Sequence, residues 1–196
     1  MFTGIVQKIA PLLSATPQGE CLRVRIKKPL GWKLTPGQSV AVDGVCSTVV
    51  LCKSDFFEVE YMQETLIKTT VKTFKKNQVV NLERSLTLKD FVDGGLVQGH
   101  VDMRGKVKKV EKTGEMALLE ITLPEALKKY IAPIGSVTVN GVSLTVARVK
   151  KDTFSMALIP YTLEHTNLGL LKKGDMVNVE VDILARYIVN ARIKER

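Results

Sequence analysis

The chain contains an internal repeat, and this repeat restricts its possible folds more than any other sequence feature. The segment VDGVCSTVV at 42–50 returns as VNGVSLTVA at 139–147, 97 residues later. Two further pairs of segments align at the same spacing without a gap, 62–70 with 159–167 and 78–83 with 175–180. Three ordered matches at one spacing indicate the duplication of a structural unit rather than chance similarity between β-rich segments.

The two copies are predicted to be separate homologous domains. At a slightly shorter spacing of 95, TGIV at 3–6 matches QGHV at 98–101 in its Gly and Val. A chain of 196 residues is long enough for two small domains. We therefore predict that the domains cover 1–95 and 96–192.

Each unit is predicted to be all-β. Runs that alternate apolar and polar residues and are rich in β-branched side chains are typical of strands. Such runs occur at 21–26, 39–44, 56–62, 117–123, 136–141 and 175–181. Because many short strands joined by tight turns favour a small closed antiparallel barrel, we expect one barrel in each unit. Two segments, 64–68 and 125–130, are predicted to be single helical turns or short helices.

The last segment, about 183–196, is predicted to be an amphipathic α-helix. Its apolar side chains recur at helical spacing, at Leu184, Tyr187, Ile188 and Ala191. The segment has no counterpart after the first copy. Because an apolar stripe has to be buried somewhere, we expect this helix to contact another subunit.

The composition argues against several classes of protein. The net charge of +9 comes from lysine pairs scattered along the chain, without the continuous basic stripe of a nucleic-acid-binding surface. No apolar run approaches the ~20 residues that span a bilayer, and the first residues lack the basic start of a signal peptide. Cys21, Cys46 and Cys52 have no metal-ligand spacing and are predicted to be reduced thiols in the cytoplasm. The usual metal and nucleotide motifs are missing, so we expect neither a metal nor a cofactor.

A pair of small polar side chains is predicted to face a ligand in each copy. On a strand, Cys46 and Thr48 point to one side, while Val45, Ser47 and Val49 point to the other. Ser143 and Thr145 form the same pair in the second copy. One such pair could merely fit a crowded barrel end, but its retention in both copies favours a pocket wall. Gly44 and Gly141 precede the pairs and indicate a bulge or a close backbone approach, with amides that could pair with a flat heterocycle.

The two histidines are weaker signals. His100 lies in QGHVD beside a glycine and near Asp102, whereas His165 lies in LEHTN and is predicted to be structural. A single histidine is more often structural than catalytic, so His100 gains weight only from its surroundings. Asp43 and Asn140 are predicted to be turn or bulge residues.

Six motifs distributed along the chain form a specific combination. They are MFTGIV at the start, SVAVDGVC at 39–46, MQETL at 62–66, GGLVQGHVD at 94–102, VNGVSLTV at 139–146 and IPYTLEHTNLG at 159–169. Together they resemble the riboflavin synthase family, alpha-chain type, over essentially the whole chain. The resemblance implies two tandem homologous six-stranded antiparallel β-barrels and a C-terminal amphipathic α-helix.

The resemblance also implies an activity and an assembly. Two molecules of 6,7-dimethyl-8-ribityllumazine react, and a four-carbon unit passes between them to give riboflavin and 5-amino-6-(D-ribitylamino)uracil. This transferase reaction uses no cofactor or metal. The protein is implied to be a homotrimer whose active site lies between the first barrel of one subunit and the second barrel of a neighbour. Lumazine synthase is a further partner that the resemblance allows.

The family's motifs also imply two sets of substrate-binding residues. The first-barrel set comprises Gly4, Ile5, Val6, Cys46, Ser47, Thr48, Glu60, Tyr61, Met62, Gln63, Glu64 and Thr65. The second-barrel set comprises Gly99, His100, Val101, Ser143, Leu144, Thr145, Ala157, Leu158, Ile159, Pro160, Tyr161 and Thr162. Ile134 stands where the family usually has a lysine, and Ser47 stands where it usually has a leucine.

A smaller set matches positions that are important for turnover in the family. It comprises Phe2, Ser39, Cys46, His100, Ser143 and Asp182. We expect His100 and the Ser143–Thr145 pair to handle protons and orient the substrate. Cys46 is expected to be the nucleophile or a polar partner in the other half of the site. The sequence leaves open which barrel holds the donor lumazine and which the acceptor.

Three alternatives to the enzyme are weighed. A non-catalytic lumazine- or flavin-binding protein, a fluorescent antenna, would be expected to lose the second-copy motifs, which are intact here. A basic barrel that binds nucleic acid would need a continuous positive surface. A purely structural barrel does not account for the repeated polar pairs.

Overall fold

The computed structural model describes residues 1–194, and these residues form two closed six-stranded antiparallel barrels followed by a helix. The strand order is β1-β2-β5-β4-β3-β6 in the first barrel and β7-β8-β11-β10-β9-β12 in the second. The strands of the first barrel are β1 Lys8–Gln18, β2 Cys21–Lys27, β3 Ser39–Val42, β4 Val45–Cys52, β5 Phe56–Tyr61 and β6 Val79–Arg84. Those of the second are β7 Met103–Thr113, β8 Met116–Thr122, β9 Ser136–Val139, β10 Val142–Val149, β11 Thr153–Leu158 and β12 Met176–Val181.

The α-helices are α1 Gln63–Lys68, α2 Glu125–Lys128, α3 Pro160–His165 and α4 Ile183–Lys194, and Thr70–Thr73 and Asn167–Leu170 form 3-10 turns. One short helix and the 3-10 turn after it occupy equivalent places in the two halves, α1 with 70–73 and α3 with 167–170, whereas α2 and α4 occur only in the second half. The identical order of strands in both barrels confirms the fold class and the duplication predicted from the repeat.

The change of spacing from 95 to 97 residues has a structural cause. β2 and β8 begin 95 residues apart, at Cys21 and Met116, whereas β3 and β9 begin 97 apart, at Ser39 and Ser136. The extra two residues therefore lie in the connection before β9, which contains α2. An insertion in this surface connection leaves both barrels unchanged.

The longest strands, β1 and β7, are among the strands that alternation along the sequence does not reveal. β1 contains Pro11 and Pro17, and its register with β2 shifts between Leu12 and Ser14. β7 has the corresponding shift against β8. An inserted residue changes the face to which later side chains point, so the period of two is broken within the strand.

Each barrel is filled by alternate side chains of its strands. Phe57 and Phe154, which are equivalent in the repeat, are both inaccessible to solvent in the centres of their barrels. Around them lie β-branched and leucine side chains such as Val24, Val59 and Leu119. Burial of this many apolar side chains accounts for most of the stabilisation of such a barrel.

The two barrels meet through their β3–β4 and β9–β10 turns. Gly44 and Gly141 have φ angles of +76° and +79° and approach so closely that a Cβ on Gly44 would lie 2.6 Å from the nitrogen of Gly141. The close backbone approach is therefore confirmed, but the neighbour is the other barrel. The expectation that these amides face a heterocycle is wrong, because the turns occlude one another. Asp43 and Asn140 are turn residues as predicted, each with a φ of 46°.

Polar side chains cross this contact between the barrels in a pseudo-twofold arrangement. The amide nitrogen of Asn81 donates to the Asn140 carbonyl at 2.9 Å, and that of Asn178 donates to the Asp43 carbonyl at 2.8 Å. Asn167 donates to an Asp43 carboxylate oxygen at 2.8 Å. These buried groups satisfy one another, so the relative position of the barrels is tied to their hydrogen bonds.

Helix α4 confirms the predicted C-terminal helix up to residue 194, and residues 195–196 lie outside the described part. Arg186 pairs with Asp102 at 2.7 Å and joins the helix to the start of the second barrel. Leu184, Tyr187 and Ile188 remain more than half exposed in the single chain. Within residues 1–194, none of the helices is long and apolar enough to cross a bilayer.

Candidate functional site

The predicted polar pairs lie on the outer faces of their barrels. On β4, Val45, Ser47 and Val49 are buried, Cys46 is half-buried and Thr48 is exposed. On β10, Ser143 is likewise half-buried and Thr145 exposed. The predicted orientation of both pairs is therefore confirmed, and the outer face carries any ligand site they form.

A strap from the second half of the chain covers Cys46. The backbone carbonyl of Gly99 accepts a hydrogen bond from the Cys46 nitrogen at 2.9 Å. Gly99 has a φ of +76°, and a Cβ in its place would lie 2.8 Å from the Cys46 Cβ. Glycine is required here by both the backbone conformation and the contact distance.

The equivalent strap crosses in the opposite direction. The carbonyl of Gly4 accepts a hydrogen bond from the Ser143 nitrogen at 2.8 Å. Gly4 also has a φ of +76°, and a Cβ there would lie 2.6 Å from the Ser143 Cβ. Val6 packs on the second core, whereas Val101 packs on the first.

This exchange corrects the predicted grouping of the site residues. Gly4, Ile5 and Val6 lie with the second barrel and not with Cys46, while Gly99, His100 and Val101 lie with the first barrel and not with Ser143. The repeat establishes which segments are equivalent. It does not tell on which barrel a connecting segment lies, because that depends on the relative position of the two units.

Two buried carboxylates hold the straps. Glu83 accepts hydrogen bonds from the nitrogens of Thr3 and Gly4, and Glu180 accepts from those of Gln98 and Gly99 at 2.8 and 3.0 Å. Burial raises the pKa of both glutamates, although the N–H donors act in the opposite direction. Sequence reasoning did not assign them a role. The available signal was that a glutamate stands at both repeat positions, within the aligned segments 78–83 and 175–180.

A pocket of about 300 Å³ opens beside Cys46. We call it the first pocket; it is lined by Val45, Cys46, Glu64, Thr65, Lys68, Thr69, Gly99, His100 and Val101. The structure thus brings His100 next to Cys46 and next to α1. Lys68 is a wall residue that the sequence did not indicate, and its Nζ lies 2.7 Å from Glu64 Oε1.

Four of the predicted binding residues turn their side chains into the barrel interiors. Ser47, Tyr61, Leu144 and Leu158 are each less than a tenth exposed. Ser47 Oγ lies 2.8 Å from the Tyr61 hydroxyl. These side chains cannot touch a ligand on the outer face, so any contact from these four positions would come from backbone groups. The unusual Ser47 is explained by the same contact, since Tyr61 takes the space that a larger residue would fill.

Other predicted binding residues lie on the outer surface around the pockets. Glu60 is exposed and forms an ion pair with Arg23, whose Nε lies 2.8 Å away. Met62, Gln63, Ala157 and Ile159 are exposed, and Pro160 is half-buried at the first position of α3.

The remaining predicted positions are dispersed. Ser39 lies opposite Thr48 and lines a separate polar pocket of about 210 Å³ that includes Lys33 and Arg84. Phe2 is inaccessible to solvent and packs against Ala41, Val97 and Cys46, so it supports the pocket wall from behind. Asp182 accepts a hydrogen bond from the Leu184 nitrogen at 2.8 Å, at the start of α4. Ile134 is 86% exposed.

The second barrel has a different surface at α3, the position equivalent to α1. Tyr161 and His165, on α3, stack with ring centroids 4.0 Å apart and an interplanar angle of 13°. Nδ1 of His165 donates to the Tyr161 carbonyl at 2.9 Å, which fixes the imidazole. Among the residues the structure describes, no group of three His, Cys, Asp or Glu side chains is arranged to hold a metal ion.

Two barrels of the same strand order, each with an outer-face polar pair covered by a strap from the opposite half, define the chain as a duplicated β-barrel protein. The family model of the lumazine binding domain matches residues 3–85 and 98–182, one copy for each barrel. A riboflavin synthase of Brucella abortus is 39% identical over 95% of this chain and 96% of its own length. One of Actinobacillus pleuropneumoniae is 35% identical over 100% of this chain and 91% of its own. The chain belongs to the riboflavin synthase family.

Solved structures support the same fold. LumP complexed with 6,7-dimethyl-8-(1'-D-ribityl)lumazine has a TM-score of 0.84 and 25% identity, covering 92% of this chain and 99% of that chain. LumP complexed with riboflavin has a TM-score of 0.86, and at 24% identity it supports the fold alone.

Proposed function

We propose that this chain catalyses the riboflavin synthase reaction, the dismutation of two molecules of 6,7-dimethyl-8-ribityllumazine into riboflavin and 5-amino-6-(D-ribitylamino)uracil. The observation that carries the proposal is that the outer faces of both barrels carry equivalent strap-covered polar pairs, one of them opening into a pocket, in a chain whose relatives are riboflavin synthases. A reaction between two copies of one molecule requires two similar binding sites, and duplication supplies them.

The pockets would act first by holding the two rings together. Fixing two reactants in a productive geometry can lower the barrier by roughly 7–11 kcal/mol at best. The 7-methyl group of the lumazine is a carbon acid, so a base is also useful. His100, exposed at the rim of the first pocket, is our candidate for this base. Ser143 and Thr145 would orient the other lumazine on the outer face of the second barrel.

Cys46 is the candidate nucleophile or polar partner in the first pocket. It is half-buried under the Gly99 strap and adjacent to His100 in the wall. A thiol can add to an electrophilic ring carbon and activate it. Full turnover by Cys46→Ser would exclude the nucleophile and leave a polar contact. We propose that no metal or cofactor takes part.

The assembly is proposed to be a homotrimer in which the first barrel of one subunit faces the second barrel of the next. The exposed apolar stripe of α4 supports a subunit contact, because three large apolar side chains on one helix are costly in water. We keep 1–95 and 96–192 as the proposed domains. The family resemblance suggests lumazine synthase as a partner. The three cysteines, read as reduced thiols, suggest the cytoplasm as the location.

Turnover separates this function from that of a non-catalytic lumazine-binding antenna, the alternative to the enzyme. The purified protein is mixed with the lumazine, and flavin absorbance is followed. Enzymatic activity gives riboflavin and the ribitylaminouracil in equal amounts. A stable lumazine complex without flavin formation would establish the antenna and exclude the synthase.

A further inference from the structure

The strap that carries His100 is held on both sides of that residue. Before it, Glu180 accepts hydrogen bonds from two strap nitrogens, that of Gly99 at 3.0 Å among them. After it, Oδ2 of Asp102 accepts a hydrogen bond from the Val181 nitrogen at 2.8 Å. Glu180 and Val181 are the last two residues of β12, so the backbone of His100 is positioned from the end of this strand, close to the start of α4.

The same carboxylate also reaches α4. Oδ1 of Asp102 accepts a hydrogen bond from Nη2 of Arg186 at 2.7 Å. The Asp102 side chain is only 13% exposed and that of Arg186 34%, so solvent and salt screen this pair less than a fully exposed one. One carboxylate thus binds the strand with one oxygen and the helix with the other.

The repeat separates these two roles of Asp102. At the spacing of 95 its counterpart is Gln7, whose Oε1 accepts a hydrogen bond from the Arg84 nitrogen at 3.2 Å. Arg84 is equivalent to Val181 at the spacing of 97, so the bond between strap and strand is common to both halves. Residues 85–97, which follow β6, form no helix. A neutral amide is therefore sufficient for the strand, and the negative charge of Asp102 is needed only for the helix.

The charges beneath the strap form one cluster. Burial raises the pKa of Glu180, the strap N–H donors oppose this effect, the Asp102 carboxylate raises the pKa further and the Arg186 guanidinium lowers it. The guanidinium on α4 therefore stabilises both of the carboxylates that hold the strap.

We propose that Asp102 and Arg186 are positioning residues: through their ion pair, helix α4 sets the position of His100 beside Cys46. This inference rests on the proposed function, in which His100 is the base of the first pocket. A misplacement of about 1 Å can slow a reaction by roughly 100-fold, so a firm strap matters for turnover. Because α4 is also the proposed subunit contact, docking of the helix and completion of the first pocket are coupled.

Hydrogen exchange of the strap amides tests the tie without any turnover. Asp102→Asn keeps an acceptor for the Val181 nitrogen and removes the charge that faces Arg186. We expect the amides of 98–99 to exchange about 10-fold faster in this variant, because local opening of the strap becomes easier. Arg186→Met should give the same increase, and the double variant no further increase. The strap around Gly4 has no tie to α4 and should exchange at the wild-type rate; mass spectrometry of peptide fragments measures both straps.

Steady-state kinetics test the consequence for His100. In Asp102→Asn we expect kcat to fall about 10-fold and KM to stay within about 2-fold, because the pocket walls remain and the base is misplaced. Arg186→Met should act in the same way, whereas Arg186→Lys, which keeps the charge, should recover most of kcat. Asp175→Asn is the matched control, since Asp175 accepts a hydrogen bond from the Lys172 nitrogen at 2.7 Å in an exposed turn. It should leave kcat and the exchange of 98–99 unchanged.

Three results would overturn the inference. They are wild-type exchange of 98–99 in Asp102→Asn, faster exchange with an unchanged kcat, and a fall in kcat that is accompanied by dissociation in sedimentation velocity, which would assign the pair to assembly alone. Wild-type protein that forms no riboflavin, while Asp102→Asn still exchanges faster at 98–99, contradicts the proposed function and not the tie between helix and strap.

Discussion

Asp43 is a buried carboxyl group whose counterpart in the second barrel is the amide of Asn140. Burial raises the pKa of Asp43 to about 7, although hydrogen bonds from Asn81 and Asn167 oppose this effect. At a pH between 3.8, the ordinary pKa of an aspartate, and about 7, Asp43 keeps its proton in the folded protein but releases it in the unfolded chain. The contribution of Asp43 to stability is therefore complete below pH 4 and is lost as the pH rises through 7.

Asp43→Asn should remove this pH dependence. The second barrel shows that an asparagine fits the turn, since Asn140 Oδ1 accepts a hydrogen bond from the Asn178 nitrogen just as Asp43 accepts one from Asn81. We expect the variant to be more stable than the wild type at pH 8, by up to about 4 kcal/mol, because a tenfold change in an acid dissociation constant is worth about 1.4 kcal/mol. Urea unfolding at pH 4.5 and pH 8 measures the difference. An equal loss of stability in both proteins over this range would contradict the assignment.

Ser47 and Tyr61 are coupled inside the first barrel. The second barrel has Leu144 and Leu158 at the same positions, so each barrel fills this space with a different pair. Ser47→Leu alone should cost about 1–3 kcal/mol, because the larger side chain meets the Tyr61 ring. In the double variant Ser47→Leu/Tyr61→Leu, the loss in the free energy of unfolding should be at least about 1 kcal/mol smaller than the sum of the losses in the two single variants. Additive free energies of unfolding in this cycle would show that the two residues are independent.

Residue positions were predictable where they follow from periodicity. The outward orientation of Cys46 and Thr48 needs only the period of a strand. The contact between Ser47 and Tyr61 and the position of Lys68 in the pocket wall depend on which elements meet in space. Neither the period nor the repeat carries that information, so these residues required the structure.

At the scale of elements, the two straps assemble the pockets. The segment around Gly99 reaches from β12 to β4, held by Glu180 at one end and by the Cys46 nitrogen at the other. The segment around Gly4 does the same between β6 and β10. The first pocket and the equivalent Ser143 site are thus each completed by the half of the chain that does not form their barrel.

Gly99→Ala tests this role. A left-handed backbone conformation costs a residue other than glycine about 1–2 kcal/mol, and the new methyl group must also move away from Cys46. We expect this contact to lower the free energy of unfolding by about 1–3 kcal/mol more, and turnover to fall strongly. Gly31→Ala is the matched control, since Gly31 has a φ of +78° and nothing within 4 Å of its Cβ position. Equal losses of stability and equal turnover in the two variants would show that the strap contact has no effect of its own.

The exchange of straps between the barrels could not be predicted from the sequence. The repeat identified the segments 3–6 and 98–101 as equivalent and supplied the strands of both barrels. A strap on its own barrel and a strap on the opposite barrel give the same sequence pattern. The contact between Gly44 and Gly141 and the buried asparagines fix the barrels so that only the exchanged arrangement is formed.

At the scale of the whole molecule, two similar sites on one chain do not by themselves bring two lumazines face to face. The first pocket and the Ser143–Thr145 pair lie on the outer surfaces of different barrels. The pseudo-twofold contact occupies the turns between the barrels. The ring-to-ring arrangement that the proposed reaction needs is therefore expected from a neighbouring subunit, which α4 is placed to recruit.

Removal of 184–196 tests this expectation. The barrels should fold, because none of the side chains described for this segment, those of 184–191, belongs to their cores. The assembly should fall from trimer to monomer, and turnover should drop by at least about 100-fold as the proximity of the rings is lost. Leu184→Glu combined with Ile188→Glu should act in the same way, since charges on the stripe oppose its burial. Leu30→Glu, at a fully exposed leucine on the first barrel, is the control and should remain trimeric and active. Sedimentation velocity and flavin formation measure both quantities, and a truncated chain that stays trimeric and fully active would refute the role of the helix.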